Sequence, residues 1–540
     1  MSEREGLLPK STDVIIVGCG PVGATLAALL GQQGVNVLVI DKAPSILMMP
    51  RAIALDNEAL RVLQMIDVGN RDFAQIAIPR VRMHSPVMGN FATANTQGTL
   101  DGHPKLVTFY QPELEQAIER RIKACQTVTV CRSSELITFK ENEQDVVAMI
   151  KGPDGARKAV KCAYLVGADG ASSLVRNLIG QGFKGKTFRE DWLIVDARRK
   201  NARPIDHVEF ICDPKRAIPH MPAPGGRERW EFMLHPGETK EQMEDPAKIA
   251  ELMAPWADKD DLIIERTAVY QFHARCCNAF SRSRVHLVGD AAHITPPFVG
   301  QGLVAGLRDV ANLGWKLAWV IQGKAQPEIL TSYDQERRPH ALKMINLARF
   351  MGHLVMTRNT VSAFLVHGLM RTARLLPPLR RHLEELEIKP INQFDEGLFR
   401  RRRGFSQGRA LRAGRQMPQF WLHHQGESKL SDDVFAQGLV MVGFGRDPKS
   451  ALAPRQIQAW LDAGGRFLHI VERGGQVQRD DQAEDALGAA LSRTPKGWLA
   501  VVRPDNFVMA EGPASQAQSM IWDCLGLLGE IDTVSILRSS

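Results

Sequence analysis

The segment Val14-Ile15-Ile16-Val17-Gly18-Cys19-Gly20-Pro21-Val22-Gly23 joins an apolar, β-branched run to three glycines in the spacing Gly-x-Gly-x-x-Gly. Residues 14–17 read as a buried strand. A helix-like stretch follows over 25–33, and a second apolar run over 35–40 closes on Asp41. Strand, glycine turn, helix and strand in that order make the βαβ unit of a parallel sheet. The three glycines have separate tasks. Gly18 permits the tight turn, Gly20 lets backbone approach a pyrophosphate, and Gly23 lets the helix pack on the strand. Free N–H groups at the helix start favour an anion. Asp41, 18 residues past Gly23, stands where a carboxylate accepts hydrogen bonds from a ribose. The unit predicts a bound dinucleotide without separating FAD from NAD.

Two later segments separate them. Tyr164-Leu-Val-Gly-Ala-Asp-Gly-Ala-Ser-Ser-Leu-Val-Arg176 is an apolar strand ending in Asp169-Gly170. Arg284-Val-His-Leu-Val-Gly-Asp-Ala-Ala-His-Ile-Thr-Pro-Pro-Phe-Val-Gly-Gln-Gly302 is a second, ending in Gly289-Asp290 and followed by a glycine turn. Asp290 at a strand end is suited to the hydroxyls of a ribityl chain. The Gly300-Gln301-Gly302 turn opens a helix over 303–321, with Leu303, Leu307, Val310, Ala311, Gly314, Leu317 and Ala318 at helical spacing. Its N–H groups suit negative charge developing on a reduced flavin ring. Pro296-Pro297 would stiffen the wall beside that ring.

The rest of the chain is read around this frame. Between about 194 and 270, short extended runs such as 207–212 and 229–234, broken by Pro and Gly, predict an inserted, mainly antiparallel sheet. Helix returns through about 388. Arg400-Arg401-Arg402-Arg403 then opens a stretch without Asp or Glu until Glu427, read as a solvated linker because aromatic interleaving is poor and no nucleic-acid motif accompanies it. Beyond 430, apolar runs at 439–442, 467–471, 498–502 and 507–510 alternate with helical stretches at 456–463 and 483–492, which predicts a small α/β domain.

Composition excludes several classes. At 540 residues, with 44% hydrophobic and 24% charged residues, the chain is an ordinary globular one of about three or four folding units, neither disordered, collagen-like nor coiled-coil. A formal net charge of +8 suits anionic small molecules and decides nothing alone. The eight cysteines include no C-x-x-C pair, which fits buried thiols in a reducing compartment better than a zinc site or a disulfide framework. The adjacent Cys276 and Cys277 are read as thiols on the same ground. No export signal and no membrane span are read, so a cytoplasmic protein is expected, with no membrane, metal or nucleic-acid partner.

In combination, GxGxxG, GADGxxSxVR and GDAAHxxPPxxGQG resemble the single-component flavoprotein aromatic hydroxylases of the para-hydroxybenzoate hydroxylase type, over roughly residues 12 to 345. Pro50-Arg51-Ala52, Asp56-Asn57-Glu58, the 109–113 and 336–340 segments, and 502–508 resemble the branch that acts on hydroxyphenylpropanoates. The resemblance implies an α/β fold with an α+β insert: a Rossmann-like FAD-binding domain, an inserted antiparallel-sheet substrate domain, and a C-terminal thioredoxin-like domain without redox cysteines. The expected boundaries are 1–190 for the first part of the FAD domain (substrate-domain segments at about 75–108 included), 191–280 for the substrate sheet, and 281–390 for the second part and helices. A basic linker over 391–429 and the C-terminal domain over 430–540 complete the chain.

Carried over, Gly18, Gly20 and Gly23 would hold the FAD pyrophosphate and Asp41 the adenosine ribose. Arg51 would lie near the pyrophosphate or ring, Gln111 near the ribityl chain, and Asp169 in a segment tied to both FAD and the nicotinamide donor. Asp290 would contact the ribityl chain, Pro297 the ring wall, and the backbone of Gly302 and Leu303 the pyrimidine end of the flavin. Many relatives carry Asn where this chain has Val304. The implied reaction uses NADH or NADPH and O2, through a flavin C4a-hydroperoxide, to hydroxylate a phenolic acid ortho to its hydroxyl, most closely a hydroxyphenylpropanoate. The phenol-activating base stays open among His220, His207, Tyr270 and Asp56, and the partner of a substrate carboxylate among Arg227, Arg229 and Arg82. Homo-oligomerisation stays open too. A polyketide-tailoring hydroxylase of the same fold is the alternative. A flavin halogenase is disfavoured because no two tryptophans stand two residues apart, and a binding protein with a vestigial flavin site is disfavoured by the intact motifs.

Overall fold

The computed structural model describes residues 8–200, 204–256, 261–357, 359–376, 380, 384, 389–400 and 411–529. Its first layer is the predicted βαβ unit. Strand Ser11–Val17 runs parallel to Val37–Ile40 on one side and to Arg157–Gly167 on the other. Val128–Cys131 and Val285–Leu287 extend the parallel sheet at its two ends. The strands are buried on both faces, which is why they read as continuous apolar runs rather than alternating ones. The helix between the first two strands spans Pro21–Gln32, four residues earlier than the apolar spacing suggests. Pro21 takes its first position, where a missing N–H costs nothing. A three-stranded antiparallel flap, Glu135–Glu141, Val146–Lys151 and the first half of Arg157–Gly167, hangs from this sheet.

The inserted domain is an eight-stranded sheet. It takes strands from about 80–95 as well as from 183 onward, its strand Phe183–Arg199 starting before the expected 191, in the order His293–Ile294, Leu262–Cys277, Phe183–Arg199, Arg227–Met233, Ile218–Ala223, Val208–Ile211, Arg80–Ser85, Gly89–Asn95. All pairings are antiparallel except Val208–Ile211 with Arg80–Ser85.

The long helix Gly302–Ile321 couples the layers. Val304, Leu307, Val310 and Leu313 enter the core under the parallel sheet, whereas Trp315 and Trp319 enter a second core shared with Leu439, Met441, Trp460 and Met520. That second core belongs to the C-terminal domain. Leu439–Phe444, helix Pro454–Asp462 and Gly465–Val471 make a parallel βαβ unit. Trp498–Val502 and Val508–Pro513 then add antiparallel strands, and helix Ala517–Leu528 closes a thioredoxin-like arrangement.

Two expectations change here. Residues 483–492, Ala-rich and read as helix, instead supply strand Gln482–Asp485 and the short helix Ala489–Arg493. Pairing with Gly465–Val471 and Trp421–His424 overrides local propensity. The sheet also takes strands Trp421–His424 and Glu427–Leu430 from the stretch read as linker. Residues 401–403 of the basic run lie outside the described residues, as do most of 377–388. Among the described residues no helix is long and apolar enough to cross a membrane.

Candidate active site

One cavity of about 1810 Å³ runs between the C-terminal ends of the parallel strands and the inserted sheet. Sites for drug-sized ligands measure roughly 300–1,000 Å³, so this one has room for a dinucleotide and a second small molecule. Ten of the eleven residues singled out from sequence line it: Gly18, Gly20, Asp41, Arg51, Gln111, Asp169, Asp290, Pro297, Gly302 and Leu303. Gly23 does not. A Cβ at Gly23 would fall 2.0 Å from the Gly18 carbonyl oxygen, so its role is the close packing of helix on turn. Gly18 has φ +106°, and a Cβ there would fall 2.4 Å from the Ala168 carbonyl oxygen. Gly20 is different: a Cβ would meet nothing within 4 Å, because it faces the cavity.

Each acidic strand end is tied down by its neighbours. Asp41 accepts from the Cys19 N–H at 2.7 Å and the Ala43 N–H at 2.8 Å, binding the second strand to the glycine turn. Asp169 accepts from Ser173 Oγ at 2.5 Å and the Val175 N–H at 3.1 Å. Arg176, the last residue of the same motif, donates to the carbonyls of Ala171 and Ala291 and so stitches the Asp169 and Asp290 segments together. Gln111 accepts from the N–H groups of both Arg51 and Ala52, at 2.7 and 2.8 Å. Asp290 is exposed to the cavity and no hydrogen bond engages it among the described residues; desolvation by the surrounding protein pushes its carboxyl above the usual 3.8, with His293 and Arg51 opposing. A carboxylate held unpaired at a cavity wall fits a hydroxylated ligand.

Sequence reasoning missed the buried charges that hold these turns. Asp309 accepts from the Gly289 N–H at 3.1 Å, and it pairs with His293 at 2.7 Å and Arg337 at 2.9 Å. Beneath the Gly300-Gln301-Gly302 turn, Asp56 accepts from Gln301 at 3.0 Å, Arg308 at 3.0 Å and Lys389 at 2.7 Å. Burial opposes ionisation of Asp56, but Lys389 and Arg308 hold its carboxyl below the ordinary value. In sequence a buried, paired Asp looks like a solvated one, and no local signal marks it.

The open choices narrow. His220 stacks on Trp230 and bonds Glu228 on the far face of the sheet, and His207 pairs with Asp206; neither lines the cavity. Asp56 lines it but is committed to three donors. Tyr270 lines it, its hydroxyl bonded to Arg266. Of the three candidate arginines Arg227, Arg229 and Arg82, Arg229 reaches the cavity wall, and it is engaged with Asp196 and the Pro50 and Arg51 carbonyls. Val304 is buried in the core and does not face the cavity. Glu231, which sequence reasoning passed over, lines it. The tightly bracketed Trp230-Glu231-Phe232, in a strand buried on both faces, was the available signal.

Comparison with known proteins places this geometry. Residues 11–348 match the family described as FAD binding domain, and residues 414–526 the HcaD C-terminal domain. A 3-(3-hydroxy-phenyl)propionate/3-hydroxycinnamic acid hydroxylase of Klebsiella pneumoniae is 35% identical over 517 residues, covering 93% of this chain and 92% of the relative. One of Comamonas testosteroni is 31% identical over 553 residues, covering 92% and 94%. Among solved structures, the flavin-dependent monooxygenase PieE in complex with FAD and substrate superposes with a TM-score of 0.80 at 19% identity, covering 96% of this chain and 99% of that one. Aklavinone-11 hydroxylase with FAD and aklavinone gives 0.74 at 21% identity, covering 96% and 100%. With its cofactor FAD and electrons from NAD(P)H, this chain belongs to the single-component flavoprotein aromatic monooxygenases.

Proposed function

We propose that the enzyme hydroxylates a small phenolic acid ortho to its hydroxyl, with 3-(3-hydroxyphenyl)propanoate giving 3-(2,3-dihydroxyphenyl)propanoate as the first substrate to test. The observation that carries this reading is the continuity of one cavity from the glycine turn to an apolar sheet face lined by Met83, Phe210, Met221 and Tyr270. The relatives at 31–35% identity over nearly the whole chain supply the substrate class.

In this reading the backbone of Gly18 and Gly20 and the start of helix Pro21–Gln32 hold the FAD pyrophosphate, with Gly23 setting their spacing. Asp41 receives the adenosine ribose, and Asp169 and Gln111 shape the channel that follows. Arg51 supplies positive charge beside it, and Asp290 accepts from ribityl hydroxyls. Pro297 and the N–H groups of Gly302 and Leu303, which no side chain caps, face the ring. Bound there, FAD takes hydride from the nicotinamide and activates O2; that chemistry belongs to the cofactor. The protein's own residues orient the phenol, exclude water and manage its proton.

Two results check the reading. A panel of phenolic acids should include one that stimulates NAD(P)H oxidation with matched oxygen uptake and a catechol product. Stimulation without hydroxylated product for every acid would defeat the substrate assignment. Gly20→Ala should weaken FAD binding about tenfold, about 1.4 kcal/mol, because its new methyl group enters the cavity. Melting of the FAD-stripped protein should not change, since that methyl group meets no protein atom within 4 Å.

A further inference from the structure

We propose that Glu231 is the general base that accepts the proton of the substrate's ring hydroxyl as the ring is attacked. This rests on the aromatic-hydroxylase reading of the same cavity. Along strand Arg227–Met233, Arg229 and Glu231 face the cavity, while Trp230 and Phe232 enter a separate core with Met243 and Ile249. Among the described residues that the inserted sheet contributes to the wall, Glu231 is the one carboxylate. The same sheet also lines the cavity with the apolar Met83, Phe210 and Met221 and the Tyr270 ring.

The charged and titratable groups that the sheet turns toward this side are Arg229 on its own strand, Asp196 on the neighbouring one, and Arg266, Tyr270 and His273 on the strand beyond, the last bonded to Thr187 at 3.0 Å. Both arginines are already used. Arg229 forks onto Asp196 at 2.6 and 3.0 Å and caps the Pro50 and Arg51 carbonyls. Arg266 reaches Asp196 at 3.2 Å, the Pro50 carbonyl and the Tyr270 hydroxyl. Asp196 therefore absorbs the positive charge, and no hydrogen bond or ion pair engages Glu231 among the described residues.

A purely structural carboxylate is rarely buried without a partner. This one is 7% exposed, and the cavity is what it opens to. Burial pushes its carboxyl up to about 7, with Arg229 opposing and Asp196 reinforcing the shift. A base poised near neutrality is the form a general base needs, and a perturbed carboxyl in a cleft is where function is sought.

The step balances. The phenol O–H bond breaks, its electron pair stays on the phenol oxygen, and the proton passes to a Glu231 carboxylate oxygen. After one oxygen atom of O2 reaches the ortho carbon as a hydroxyl, the C–H proton there passes to solvent and Glu231 returns its own to the ring oxygen. The two electrons come from NAD(P)H, and the second oxygen leaves as water.

The test is a pH titration of the holoenzyme with 3-(3-hydroxyphenyl)propanoate, following kcat and, by the change in flavin absorbance, binding of the acid. In the wild type kcat should rise as pH increases through about 7, where Glu231 loses its proton. Glu231→Gln should keep its FAD and bind the acid, lose that rise, and hydroxylate about 100-fold more slowly. Glu231→Asp should recover part of it. If the acid is bound and hydroxylated but Glu231→Gln keeps the wild-type rate and its rise near pH 7, the assignment to Glu231 falls while the substrate reading stands. If the acid neither binds nor stimulates NAD(P)H oxidation, both fall.

Discussion

Gly23→Ala is expected to give a purified protein that is colourless, with FAD affinity lowered at least about a hundredfold, some 2.7 kcal/mol. The cause is steric and local. The added Cβ would lie 2.0 Å from the Gly18 carbonyl oxygen and 3.1 Å from the Ala168 Cβ. Neither neighbour is the free end of a flexible side chain. Gly18 is itself fixed by its N–H bond to the Ile40 carbonyl at 2.8 Å, and Ala168 by its N–H bond to the Val17 carbonyl at 2.8 Å. Helix Pro21–Gln32 must therefore lift off the sheet, carrying its N-terminal N–H groups away from the pyrophosphate. Overpacking of this kind also costs stability, about 1–3 kcal/mol. Flavin content and thermal melting with and without added FAD measure both effects. The contrast with Gly20→Ala, whose methyl group points into open cavity, is the internal control. If Gly23→Ala bound FAD as the wild type does, the turn would not be the cofactor's anchor.

The frame of this site was legible because its rules are local. A β-branched run, three glycines and an acid at the next strand end must lie together, since each follows from the geometry of one turn. Gly18, Asp41, Asp169 and Asp290 reach one cavity because the parallel strands that carry them end on the same side of the sheet. What stayed hidden depends on partners far along the chain. The parallel pairing of Val208–Ile211 with Arg80–Ser85 joins segments more than a hundred residues apart, and nothing in either segment announces the other. The strand Gln482–Asp485 is made by its neighbours against helical propensity. Glu231, Asp309 and Asp56 are charged residues whose meaning lies in burial, and charge alone reads as surface. The candidate base was missed for that reason: the residues weighed for that role were His220, His207, Tyr270 and Asp56, whereas Glu231 sits between Trp230 and Phe232 in a strand that looked like core.

Arg503→Met should destabilise the junction between the FAD domain and the C-terminal domain by about 3–5 kcal/mol, the typical penalty for stranding buried partner charges. Arg503 is fully buried and forks onto Glu336 at 2.7 and 3.0 Å and onto Asp505 at 2.9 and 2.5 Å. Glu336 comes from helix Thr331–Val355 of the FAD domain and also takes hydrogen bonds from Asn312 at 2.6 Å, Lys316 at 2.9 Å and the Leu398 N–H at 2.7 Å. Burial opposes ionisation of Glu336, yet Arg503 and Lys316 hold its carboxyl far below the ordinary 4.5. Lys316 already donates to Glu336 and Asn312, and no hydrogen bond joins it to Asp505 among the described residues, so it does not take the guanidinium's place between the two carboxylates. Methionine fills much of the space and removes the charge, leaving Glu336 and Asp505 facing each other. Denaturant unfolding followed by tryptophan fluorescence is the measurement, since Trp315 lies 5.6 Å from the Arg503 guanidinium. Adding Glu336→Gln to Arg503→Met should recover part of the loss, because an uncharged pair is tolerated better than a stranded carboxylate. The pH sign follows from Glu336: its folded value lies below its unfolded one, so its contribution is complete above about pH 4.5 and drains away in acid. Glu336→Gln should therefore flatten the acid limb of the stability profile. Equal losses in the single and double variants would show that packing, not charge, joins the two domains. The long helix Gly302–Ile321 would then be anchored at its far end by the apolar packing of Trp315, Trp319 and Val320 in the second core.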